Sequence, residues 1–192
     1  MLEWPDIDFD LLKRINPDTI GWIHTEDTPV NYPVVQGHGD GYYLTHNFSC
    51  EESPHGCIYA LTEGEFPGKR SVVVGHNMKD ETMFVSMLYY RYEEGYFEKH
   101  PVIELKTPYA NYEIKVWGSI DFGEDGLCMV YPPDEEELFN QWKAEVSRLN
   151  LFDPGFDITY DDDIMVFCTC RPYLTVNPDG TLMVVGKVIR KS

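Results

Sequence analysis

No stretch of the sequence approaches the roughly 18 successive apolar residues that a membrane-spanning helix needs. The N-terminus, Met1-Leu2-Glu3-Trp4-Pro5-Asp6, has neither the basic opening nor the apolar core of a secretory signal. Basic residues are scarce: 15 Lys and Arg stand against 33 Asp and Glu, for a net charge of −18. Phosphate recognition needs clustered cationic side chains, so nucleic acid and anionic membrane surfaces are poor partners. The imbalance favours a cationic or amine-bearing partner instead. Cysteine is sparse and odd in number, at Cys50, Cys57, Cys128, Cys168 and Cys170. With no C-x-x-C and no regular spacing, a disulfide framework is not expected, and at least one thiol is free or pairs between chains. No Gly/Ser linker, internal repeat or low-complexity tract divides the 192 residues. The chain reads as one domain, residues 19–192, behind a short helical extension over residues 1–18.

What is present is a globular composition, 43% hydrophobic and 14% aromatic. Residues 9–15 suit a short helix that Asn16-Pro17-Asp18 stops. Strands are expected over 20–24, 31–36, 57–61 and 71–75, the last a β-branched run of the kind buried on both faces. Helix is expected over 82–92, with a further turn over 94–99. Residues 102–106 and 111–120 form a hairpin, the second arm alternating apolar Tyr112, Ile114 and Val116 with Glu113 and Lys115. The strongest helix lies over 134–149, with Asp134 as cap, Glu137 as its reciprocal partner, and Leu138, Trp142, Val146 and Leu149 as the apolar stripe. Strands over 164–170 and 182–190 close the chain around a turn at Asn177-Pro178-Asp179-Gly180. About eight short strands and a few helices predict a mostly antiparallel barrel or sandwich decorated with helices.

Two residues suit nucleophilic chemistry. Cys170 ends an apolar strand, rigid yet accessible. A thiol nucleophile needs a group that makes the thiolate available. His76 follows a second buried strand in Gly75-His76-Asn77-Met78. The bland alternatives are a small buried hydrophobe for Cys170 and a turn histidine for His76. His46, Cys50, His55 and Cys57 crowd into one short stretch but match no zinc spacing. Neither a metal nor a cofactor is expected, and Asp161-Asp162-Asp163 reads as a solvated approach to a strand.

These residues carry a resemblance. Gly75-His76-Asn77-Met78-Lys79-Asp80 with Met83-Phe84, and Val166-Phe167-Cys168-Thr169-Cys170, resemble the histidine and cysteine motifs of the sortases, class B in their details. Ile15-Asn16-Pro17-Asp18 with Gly21-Trp22-Ile23, Tyr32-Pro33-Val34-Val35-Gln36 with Tyr42-Tyr43-Leu44 and His46-Asn47-Phe48, Phe97-Glu98-Lys99-His100-Pro101 and the 134–149 helix extend it over nearly the whole chain. The resemblance implies an eight-stranded sortase barrel and cysteine transpeptidation at the surface of a Gram-positive cell. Cys170 would attack the threonyl carbonyl of a sorting-signal peptide to give a thioacyl enzyme. His76 would protonate the leaving amine and then activate the incoming one, an amine of peptidoglycan or of another surface protein. Such enzymes are anchored by an N-terminal membrane segment, so the chain reads as a soluble ectodomain trimmed of its anchor.

One position departs from the family. The sortase arginine that steadies the substrate and the developing oxyanion falls at Thr181, which carries no charge. Arg171 is the nearest substitute, provided the chain leaves strand geometry there, since neighbours on a regular strand face opposite ways. Thr169 and Thr181 are then candidate substrate contacts. The alternative is a sortase-like module that binds peptides with weak or no turnover.

Overall fold

The computed structural model describes residues 6–39, 41–61, 64–122, 129–170 and 180–191. Arg171, Cys128 and most of the expected turn at 177–180 lie outside the described residues. The chain opens with α1 (Phe9–Ile15), capped by Asp8, whose carboxylate accepts from the Leu11 N–H at 2.8 Å. It ends at Asn16, a buried side chain that binds Tyr43 and the Phe48 carbonyl. There follow β1 (Thr19–His24), β2 (Asn31–Gln36), α2 (Tyr42–Thr45), β3 (Ile58–Ala60), β4 (Arg70–Val74), α3 (Val85–Tyr92), α4 (Tyr96–Lys99), β5 (Val102–Lys106), β6 (Asn111–Phe122), α5 (Glu136–Leu149), β7 (Ile164–Cys170) and β8 (Thr181–Arg190).

The strands close into a barrel in the order β1-β2-β3-β4-β7-β8-β6-β5. The barrel is mostly antiparallel, as expected, but two of its neighbour pairs make it mixed: β2 runs parallel to β3, and β4 parallel to β7. Both pairs are joined by long crossovers, and alternation of side chains along a strand does not encode which neighbour it will meet. Side-chain parity sorts the barrel wall. Val73, Met165, Phe167, Leu182 and Val184 point inward to a core that also takes Phe84, Met87 and Leu88 around α3. Val72, Val166, Cys168, Met183 and Val185 point outward and are covered by Phe139, Trp142 and Val146 of α5. Two apolar faces on one strand explain why β4 and β7 read as unbroken apolar runs.

The helix α5 departs from its expected cap and stripe. Its N-cap is Glu135, extended at φ −95° and ψ 132°, with no side-chain cap bond. The carbonyls of Pro133 and Asp134 are held by Arg70 and by the Tyr160 hydroxyl, which keeps the chain extended there and delays the helix to Glu136. The buried stripe is accordingly Phe139, Trp142 and Val146, while Leu138 is 46% exposed. Likewise α3 starts at Val85, because residues 77–83 form a closed loop instead of the first turn of a helix: Asn77 bridges Met83, and the Phe84 N–H returns to the His76 carbonyl at 2.9 Å.

Candidate functional site

The parallel β4–β7 ladder sets Val74 against Cys168. It runs one step past the end of β4, where the Gly75 N–H donates to the Cys168 carbonyl at 3.2 Å. His76 lies two residues beyond Val74, and Cys170 two residues beyond its partner Cys168. Asn77 closes the gap from the far side, its amide donating to the Cys170 carbonyl at 3.4 Å. On the other flank the antiparallel β7–β8 ladder pairs Cys170 directly with Thr181, which in turn pairs with Phe122 of β6. Cys170, Thr181 and Phe122 therefore lie along one row across the rim of the barrel, and the loop that follows β4 brings His76 and Asn77 to the Cys170 end of it.

Each side chain has a local cause. Gly75 permits the approach of β4 to its neighbours: a Cβ there would stand 2.3 Å from Ile58 Cδ1 and 2.8 Å from the Phe84 ring. His76 is half-buried, and its Nε2 lies 2.7 Å from the Leu44 carbonyl at the end of α2. A carbonyl only accepts, so Nε2 carries a proton and Nδ1 is the nitrogen left for proton exchange. The 77–83 loop is pinned from outside by the Tyr32 hydroxyl, which accepts from the Met83 N–H at 2.9 Å. Cys170 has the parity of Cys168, so its thiol faces the outer side of the barrel wall, and the residue is exposed. Burial of the sulfur nevertheless pushes its pKa up from 9.0. Beneath it, Cys168 is buried and pushed up to about 12, first by burial and then by the neighbouring Cys170 charge. Only the outer thiol is placed to react.

Thr169 faces inward with Phe167 and is buried; its hydroxyl has no hydrogen-bond partner among the described residues. It does not reach the row that holds Cys170. Thr181 is half-buried and opposite Cys170. Among the described residues, His46, Cys50, His55 and Cys57 belong to no group that could hold a metal ion. His46 stacks on Tyr42, His55 pairs with Asp80 at 2.8 Å, and Cys57 is buried with a pKa near 12.

Sequence reasoning missed the aromatic flanks of this face. Tyr59 of β3 shares a cross-strand row with Val74 and Cys168. Burial pushes its pKa up to about 12, with further raising contributions from Cys168, Tyr131 and Cys170. Tyr59 packs with Tyr43, Val35 and Cys57, with Val74 against the same cluster, and Tyr131 lies on the segment ahead of α5. Neither carries a motif.

An eight-stranded mixed barrel with this strand order and several short helices is the sortase B fold. No family model matches the chain. It is similar to the Sortase B of Listeria monocytogenes, 26% identical over 182 residues that cover 94% of this chain and 73% of the relative. It is similar also to the Sortase B of Staphylococcus aureus, 27% identical over 186 residues, 96% of this chain and 75% of the relative. The structure of the Staphylococcus aureus sortase B-substrate complex superposes with a TM-score of 0.85 at 27% identity, covering 96% of this chain and 85% of that one. A sortase B complexed with triglycine superposes at 0.84 with 28% identity, covering 96% and 86%. Over nearly its whole length the chain is thus similar to sortase B proteins in sequence and in fold.

Proposed function

We propose that the protein is a cysteine transpeptidase that cleaves a sorting signal after threonine and joins the freed carbonyl to an amine. The observation that carries this reading is the parallel β4–β7 register, beyond whose last pair, Val74 and Cys168, His76 follows one strand by two residues and Cys170 closes the other. The Cys170 sulfur adds to the threonyl carbonyl, and the tetrahedral intermediate expels the amine of the next residue. His76, protonated at Nδ1, gives that amine its proton. The acyl group then rests on sulfur as a thioester. An incoming amine loses a proton to His76 as it attacks, the thiolate leaves, and a new amide is formed. The raised Cys170 pKa favours a resting thiol, so the proton passes to His76 as the carbonyl is engaged.

The relatives come from Gram-positive bacteria, and the similar solved structures include a Staphylococcus aureus sortase B-substrate complex and a sortase B with triglycine. By extension the donor here is a sorting-signal peptide, the acceptor an amine of peptidoglycan or of a surface protein, and the place of work the outer cell surface. Among the described residues no helix is long and apolar enough to cross a membrane. The test is mass spectrometry of the protein mixed with a panel of Thr-containing sorting peptides. A thioacyl adduct on Cys170, released by hydroxylamine or an added amine and lost in Cys170→Ala, is the expected result. An adduct on Cys168, or none with any peptide, overturns it.

A second reading rests on Thr181. If no cation serves the oxyanion, the groove binds sorting peptides without turning them over. Tight peptide binding with no adduct would select it.

A further inference from the structure

Arg70 opens β4, at the opposite end of the strand from His76. Its guanidinium binds main-chain carbonyls rather than a carboxylate. Nε donates to Pro133 at 3.3 Å, Nη1 to Asp162 at 2.7 Å and to Lys69 at 2.8 Å, and Nη2 to Tyr160 at 2.8 Å. The guanidinium carbon stands 4.5 Å from the centre of the Phe139 ring and 5.4 Å from that of Tyr160. Pro133 precedes α5, whereas Tyr160 and Asp162 follow it. One side chain therefore grips both stems of the segment that joins β6 to β7. A planar fork of five donors can do this; a lysine ammonium cannot span the same carbonyls.

The gripped segment covers the outer wall below Cys170. Val130 is buried in one cluster with Val72, Val166 and Cys168 of β4 and β7. From the α5 side Trp142 holds this stretch through a 2.8 Å bond from Nε1 to the Met129 carbonyl. We infer that Arg70 is a positioning residue that sets the width of the peptide groove, by fixing residues 129–133 against the root of β4. The inference takes its substrate from the transpeptidase reading, but its geometry stands apart from it. Arg70 opens the β4–β7 ladder against Ile164, whereas His76 and Cys170 lie at the ladder's other end, beyond the Val74–Cys168 pair. Loss of the fork should therefore weaken peptide capture while leaving the reacting groups in place.

The experiment compares wild type, Arg70→Lys and Arg70→Met by amide hydrogen exchange, by iodoacetamide labelling of Cys170 and by steady-state kinetics with a sorting peptide. Both variants should exchange faster over 129–134 and 158–163, with β4, β7 and the Cys170 labelling rate unchanged. KM should rise on the order of 10-fold with kcat held, since a small displacement remote from the chemistry is enough to cost that much. Retained charge in Arg70→Lys should not rescue KM, which separates the fork from simple electrostatics. Wild-type exchange over 129–134, or equal loosening of β4 and β7, overturns the inference; so does a fall in kcat at constant KM. If Arg70→Met does not fold, Arg70→Lys gives the same readings. If wild type forms no thioacyl enzyme, the transpeptidase reading fails, and hydrogen exchange still decides whether Arg70 holds the wall.

Discussion

Cys170 and Thr181 are direct partners across the β7–β8 ladder, on the same face of the barrel wall. Opposed residues of an antiparallel pair stand about 4.5–5.5 Å apart, so a long side chain at position 181 would lie alongside the sulfur. Threonine itself brings no cation to that space. An oxyanion donor typically contributes on the order of 100-fold or more in rate. Thr181→Arg is expected to raise kcat steeply if no other cation reaches the site, and to change it little if Arg171 already serves. Arg171→Ala measured alongside separates the two cases. If neither substitution alters acyl transfer, charge at this position has no part in the reaction.

Gly75 joins the site to the core. A methyl group there would press on Ile58 and Phe84, both fully buried, with neither able to retreat. Overpacking of this kind costs about 1–3 kcal/mol. Gly75→Ala should lower the urea midpoint accordingly and also reduce kcat, because the same strain displaces the next residue, His76. An unchanged midpoint would mean that the strand end yields freely and does not hold His76 in place.

The residues of the site were legible because each sits in an apolar strand with a motif at its end. Val72-Val73-Val74-Gly75-His76 and Val166-Phe167-Cys168-Thr169-Cys170 announce two buried strands that finish on reactive groups. That the two strands are parallel neighbours was not legible, because the crossover between them passes through α3, α4, β5, β6 and α5 and leaves no local trace. Leu138 shows the same limit on a smaller scale. Its spacing fitted the stripe of α5, but Arg70 and Tyr160 capture the carbonyls ahead of the helix and turn Phe139 inward instead. Arg70 itself gave no signal, since its partners are main-chain groups far along the sequence.

Alkaline pH should unfold the protein in a way that Cys168 controls. Burial holds Cys57 and Cys168 at about 12 against an ordinary 9.0, so the folded chain keeps both thiols protonated where the unfolded chain ionises. The unfolded state then binds fewer protons, and stability falls as pH rises. The contribution is complete below about pH 9 and is lost progressively towards pH 12. Each such group adds a slope of up to about 1.4 kcal/mol per pH unit in that window. Urea unfolding at pH 8, 9 and 10 should show a shallower decline for Cys168→Ala than for wild type. Parallel declines would mean that the Cys168 thiol ionises as readily folded as unfolded.

Asn77 offers the sharpest probe of the partnership between the two strand ends. It follows His76 in sequence, is buried, and donates its amide to the Cys170 carbonyl. The bond ties the loop that carries the imidazole to the strand that carries the sulfur. Asn77→Ala should lose about 1 kcal/mol of stability, the ordinary value of one such bond. Its kcat should fall by a similar energy, roughly fivefold. Asn77→Asp is nearly the same shape but places a carboxylate against the end of β7. A negative charge disfavours a second one, so the thiolate of Cys170 should form at higher pH than in wild type. Iodoacetamide labelling of Cys170 followed across pH reads this directly. The profile should move to higher pH in Asn77→Asp and stay in place in Asn77→Ala. A profile that does not move in Asn77→Asp would mean that position 77 does not sense the sulfur. The loss in Asn77→Ala would then be one of folding alone.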